Sequence, residues 1–109
     1  MGDQPPIDSQ PTISTHVLDT EHGRPAAGVA VSLFGPDGQR AGQATTDSDG
    51  RVRRLLDGAL IPGDYRIEFE LEAAFFRRAV LTFRVDDTTH SYHVPLLLAP
   101  YSIASYRGS

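Results

Sequence analysis

A chain of 109 residues is one domain of ordinary size, long enough to bury a sizeable core, and its 39% hydrophobic and 8% aromatic content is normal for a soluble protein. A formal net charge of -4, a pI near 5.4 and the absence of any basic run argue against a nucleic-acid or anionic-membrane partner. Cysteine is absent and all ten basic residues are arginine, which excludes disulfides, thiolate catalysis, a lysine Schiff base and a tetrathiolate metal site; fixed positive charge in a site must be a planar guanidinium.

Met1 to Pro11 holds Pro5, Pro6 and Pro11 among polar residues, a composition that does not repay the entropy of ordering. Residues 1–12 therefore read as a flexible arm ahead of one domain at 13–109. No apolar signal core opens the chain, no run reaches the roughly 18 apolar residues of a membrane span, and Arg107-Gly108-Ser109 is not a peroxisomal ending, so the expected location is the cytoplasm.

Ile13, Thr15 and Val17 alternate with Ser14, His16 and Leu18 in a short strand that ends in the turn-rich Asp19 to Pro25. Val29 to Phe34 is a second strand, which Pro36-Asp37-Gly38 turns back into a weaker one, Arg40 to Thr46. Asp47-Ser48-Asp49-Gly50 has alternating oxygen groups before a glycine, as calcium loops do. Aligning Gly50 with the glycine of such a loop, however, puts Thr45 at the first ligand position and Leu56 where a bidentate Glu is required. The segment reads as a hairpin turn that delivers Arg51 at the start of the strand Arg51 to Leu56.

Gly58 to Gly63 is a loop, and Tyr65, Ile67, Phe69 and Leu71 then alternate with Arg66, Glu68 and Glu70 in the best strand of the chain. Glu72 to Arg78 carries helix-forming residues for about two turns. Leu81, Phe83 and Val85 mark another strand, Asp86 to Thr89 a turn, and the remainder supplies two strands around Pro100. Eight short strands at this spacing predict an all-β fold, an antiparallel sandwich with a short helical segment around 72–78.

The strand beginning at Tyr92 sends Tyr92, Val94, Leu96 and Leu98 to one face and His93, Pro95 and Leu97 to the other. A strand with one wet face is polar at every second position, so Leu97 beside His93 says that both faces are covered, one by the core and one from elsewhere. His16, Arg51, His93 and Tyr106 each sit on or beside a strand, where neighbouring strands can bring alternate residues within reach on one face. Taken singly, each has an ordinary explanation as a surface or satisfied polar residue. Together they offer a proton acceptor near neutrality, a guanidinium fork and a phenol. No Gly-x-Ser-x-Gly or other nucleophile signature is present, so attack by water is expected rather than an acyl-enzyme. His90 and His93 fall on opposite faces of a strand, which is not zinc-like spacing, and no metal or cofactor is expected. His22 and His90 lie in turn-like stretches and read as solvent-exposed.

Ser14-Thr15-His16-Val17-Leu18-Asp19-Thr20, Gly23-Arg24-Pro25-Ala26, Asp49-Gly50-Arg51, Tyr92-His93-Val94-Pro95-Leu96-Leu97-Leu98 and the terminal Tyr106-Arg107-Gly108-Ser109 resemble, in order, the motifs of the 5-hydroxyisourate hydrolases, transthyretin-related enzymes of purine breakdown. The resemblance spans roughly Ile13 to Ser109; between Phe69 and Val80 this chain is shorter than that family's pattern. It implies a transthyretin-like topology and hydrolysis of 5-hydroxyisourate to 2-oxo-4-hydroxy-4-carboxy-5-ureidoimidazoline. It also implies His16, Arg51 and His93 as catalytic residues, and His16, Arg51, Tyr106, Arg107 and Ser109 as substrate contacts. The implied assembly is a homotetramer, a dimer of dimers with sites at the subunit interface. Two other readings keep the sandwich. The middle of the chain also resembles prealbumin-like accessory modules, which explains neither His16 nor the terminal motif, and a transthyretin-like carrier would have apolar groups where this chain has His16, Arg51, His93 and Tyr106.

Overall fold

The computed structural model describes residues 10–108, so of the expected arm only Gln10 to Thr12 falls within it, and Ser109 lies outside the described residues. Nine strands among these residues form two sheets: β1 (Ile13–Asp19), β2 (Arg24–Pro25), β3 (Ala30–Phe34), β4 (Arg40–Thr45), β5 (Arg51–Val52), β6 (Gly63–Glu70), β7 (Arg78–Val85), β8 (Tyr92–Leu98) and β9 (Ile103–Ser105). One sheet runs β2-β1-β8-β9 with β5 also paired to β1, and the other runs β4-β3-β6-β7. Their inner faces make the core: Ile13, Val17, Tyr92 and Leu96 from the first sheet meet Val31, Leu33, Tyr65, Ile67 and Phe69 from the second, all buried. The all-β sandwich is as expected.

Three details differ from the sequence reading. The two-residue strand β2 raises the number of strands to nine. β1 and β8 run parallel, register Ile13↔Tyr92 through Asp19↔Leu98, so the sandwich is not wholly antiparallel. Their side-chain links span 79 residues, beyond the reach of any turn that would fix direction locally. The helix expected around 72–78 is absent. The β6–β7 ladder continues to Glu70↔Arg78, and the Leu71 N–H donates to the Arg77 carbonyl across 3.0 Å. What lies between is a hairpin loop too short to recover the cost of nucleating a helix.

Two local details also bear on the site. Thr12 is buried, and its N–H donates to Ser91 Oγ at 3.0 Å, so this residue packs with the strands that follow. The strand expected over Arg51 to Leu56 stops at Val52. Leu55 and Leu56 instead plug the core from a connecting segment, with the Leu55 N–H bonded to the Ile13 carbonyl at 2.8 Å. Gly42 lies beneath that segment: a Cβ there would come 1.7 Å from the Leu55 carbonyl oxygen.

Candidate active site

Strand alternation places the polar candidates on the outer face of the β2-β1-β8-β9 sheet. Ile13, Thr15 and Val17 of β1 point inward and are buried, which turns Ser14, His16 and Leu18 outward. The parallel register sets Ser14 beside His93, His16 beside Pro95 and Leu18 beside Leu97. On the other side of β1, β5 pairs His16 with Arg51 and Thr15 with Val52. The chain end returns along β8, where Gly108 bridges His93 and its N–H donates to the His93 carbonyl at 2.8 Å.

The turn before β5 aims Arg51. The Asp47 carboxylate accepts the Asp49 N–H at 2.9 Å and the Arg51 N–H at 3.0 Å, an Asx-type arrangement that also holds its pKa below the usual carboxylate value, the Arg51 bond contributing most. Gly50 has φ +75, and a Cβ there would lie 2.4 Å from the Val17 carbonyl oxygen, so only glycine lets this turn close against β1. The segment is a tight turn that delivers Arg51, as its sequence suggested, but it is not a hairpin: β4 belongs to the other sheet, and β5 pairs with β1 instead. It also offers the Asp49 carbonyl to His16, whose Nε2 is 2.8 Å away.

A cavity of about 580 Å³ opens on this face, lined by Ser14, Arg51, Arg53, Ser91, His93, Tyr106 and Gly108 among others. Among the described residues the lining has two guanidinium-bearing side chains and no carboxylate side chain, so the field of these groups favours an anion or a developing oxyanion. His93 Nδ1 lies 2.8 Å from Ser14 Oγ. Its pKa falls below the ordinary histidine value, first through burial, then through the charges of Arg51 and His16, with a hydrogen bond from the ring to the Ser14 backbone opposing in part. A Cβ on Gly108 would approach His93 Cδ2 to 2.5 Å, so the absence of a side chain there lets the chain end lie flat against the imidazole.

Arg51, His93 and Tyr106, expected from sequence, meet at this cavity. His16 does not line it; its ring turns onto the Asp49 carbonyl, directly across the ladder from Arg51 and near enough for its charge to act on His93. Arg107 points elsewhere, its guanidinium 4.8 Å from the centre of the Tyr92 ring. Ser14, Arg53 and Ser91 were missed. Ser14 shares the outward phase of His16, a signal readable from alternation, but its contact with His93 depends on the parallel pairing. His22 and His90 are exposed. His22 sits with Asp19 and Glu21 in a surface group whose ligand atoms lie within 4.8 Å of one another, far in character from the cavity and held together by the 2.8 Å His22–Asp19 pair.

Two sheets of this topology, with a cavity lined by Arg51, Arg53 and His93 on an outer face, define a transthyretin-type sandwich. The chain belongs to the HIUase/Transthyretin family, whose family model matches residues 13–108. It is 38% identical over 119 residues to the 5-hydroxyisourate hydrolase of Deinococcus radiodurans, covering 94% of this chain and 100% of that one. It is 41% identical over 126 residues to the uric acid degradation bifunctional protein TTL of Arabidopsis thaliana, where 95% of this chain spans only 39% of the longer protein. Among solved structures, that of Klebsiella pneumoniae 5-hydroxyisourate hydrolase superposes with a TM-score of 0.80 at 34% identity, covering 90% of this chain and 99% of the other.

Proposed function

We propose that this protein is a hydrolase that opens 5-hydroxyisourate in urate degradation, using the outer-face cavity as its active site. Support comes from relatives of matching length that carry that name, and from one observation in particular. A histidine biased toward its neutral, proton-accepting form stands on the wall of a cavity that also presents Arg51 and Tyr106.

In this reading a water donates a proton to an imidazole as its oxygen bonds to a ring carbonyl carbon of the substrate. The carbonyl oxygen becomes an oxyanion facing Arg51, and the ring C–N bond then breaks as its nitrogen takes a proton, leaving a carboxylate. His93 is the acceptor of the water's proton and His16 the second acid–base group beside Arg51. Tyr106 offers a hydroxyl to the substrate edge, and Ser109 is assigned to the substrate with it; Arg107, whose guanidinium lies over Tyr92 and not on the cavity wall, is assigned there on the family resemblance alone.

The reading extends to a cytoplasmic homotetramer, a dimer of dimers, with the cavity closed by a partner subunit. Leu18 and Leu97 form a half-buried apolar pair beside the polar site on the same outer face, and Tyr101 and Tyr106 near the chain end are exposed. A symmetric pairing of such faces would bury them and wall the cavity.

The test is to add freshly generated 5-hydroxyisourate and follow its ultraviolet decay with and without protein. Acceleration proportional to protein concentration is expected. Decay at the spontaneous rate would instead favour a binding or accessory module.

A further inference from the structure

Both site histidines are held through one ring nitrogen, but through different nitrogens. His16 uses Nε2, 2.8 Å from the Asp49 carbonyl oxygen. A carbonyl only accepts, so neutral His16 carries its proton on Nε2 and keeps its lone pair on Nδ1. His93 uses Nδ1, 2.8 Å from Ser14 Oγ. A hydroxyl can donate or accept, so this contact alone fits either tautomer.

The orientation of the ring is fixed: turning it over would place a carbon on Ser14 Oγ and press Nδ1 against the bare Gly108 methylene, losing the hydrogen bond. The surroundings of the other nitrogen select the tautomer. The nitrogen that remains, Nε2, belongs to a ring lining a cavity with Arg51 and Arg53, and a lone pair facing guanidinium groups is favoured over an N–H dipole there.

We propose that Ser14 is a positioning residue that accepts a hydrogen bond from His93 Nδ1–H and so keeps the Nε2 lone pair free as the proton acceptor in the cavity, in the tautomer opposite to that of His16. The consequence for turnover rests on the hydrolase reading above; the tautomer itself does not. An unconstrained neutral imidazole favours the Nε2–H form, so Ser14 holds His93 against its intrinsic preference. Without it the nitrogen facing the cavity would be a donor, unable to take a proton from water.

The experiment is two-bond ¹H–¹⁵N correlation NMR on the full chain, uniformly ¹⁵N-labelled, at about pH 8, where an ordinary histidine is neutral. In the wild type, His93 should show a protonated Nδ1 and a bare Nε2, and His16 the reverse. Ser14→Ala should move the His93 proton to Nε2 while leaving His16 unchanged. It should also lower kcat by roughly tenfold to a hundredfold, the range seen when a group orienting a functional histidine is removed, with KM little altered. Ser14→Thr, which keeps the hydroxyl, should restore both. A wild-type His93 protonated on Nε2 overturns the proposal even if Ser14→Ala fails to fold, as does a tautomer that Ser14→Ala leaves unchanged. The expected spectra from a protein inert toward 5-hydroxyisourate would leave the Ser14 assignment standing and remove the hydrolase reading instead.

Discussion

His93 is set up to be neutral where an ordinary histidine is half charged. Burial costs its imidazolium hydration, and the charges of Arg51 and His16 repel it, so its folded pKa lies below the ordinary histidine value of about 6.5. The acid limb of kcat/KM should therefore fall below about pH 6.5, and Arg51→Ala should raise it by removing one repelling charge. The sign for stability follows. Between the two pKa values the unfolded chain binds more protons than the folded one, so this contribution is fully present above the unfolded value and is lost as pH drops from about 6.5 through the folded pKa. Urea unfolding at about pH 7.5 and about pH 5.5 should show wild type losing more stability on acidification than His93→Gln. An equal loss in both proteins would remove His93 as the cause. Histidine, arginine and tyrosine were readable in the sequence as a set that could share a face. Ser14 was not, because a hydroxyl acquires its role only from the nitrogen placed opposite it.

Among the elements, strands with strict alternation were legible and short or irregular ones were not. Tyr65, Ile67 and Phe69 of β6 face inward as their period predicts, and they are buried. β5 was overextended because Leu55 and Leu56 look like strand residues yet serve as a plug from a loop that bonds to Ile13. The helix expected around 72–78 rested on propensity alone, and the closing pair Glu70↔Arg78 overrides it. Gly42 tests this account of the plug. A methyl group at that position would meet the Leu55 carbonyl at 1.7 Å, backbone that cannot step aside cheaply. Gly42→Ala should cost about 3 kcal/mol, the upper range for overpacking, read as a lower urea midpoint with an unchanged slope. A midpoint within error of wild type would mean that the plug is loosely held.

The whole molecule carries its candidate site on an outer face, and this is why chain length and composition say so little about it. The direction of the β1–β8 pairing is a property of the complete sandwich, and through it Ser14 reaches His93. Leu97 extends the same row from His93, half-buried, beside Leu18. If a second copy covers this face, Leu97→Glu should reduce both the sedimentation mass and the activity, because one contact would build the interface and the pocket together. Full activity in a protein that sediments as a monomer at nanomolar concentration would place the complete site within one chain. The central claim is that His93 on this cavity performs the hydrolysis. Its most direct test is turnover of freshly generated 5-hydroxyisourate by wild type and His93→Ala, both shown by circular dichroism to be folded. The predicted result is rapid decay with wild type and a kcat lower by about a hundredfold or more in the variant; a His93→Ala protein that turns over substrate at close to the wild-type rate would contradict it.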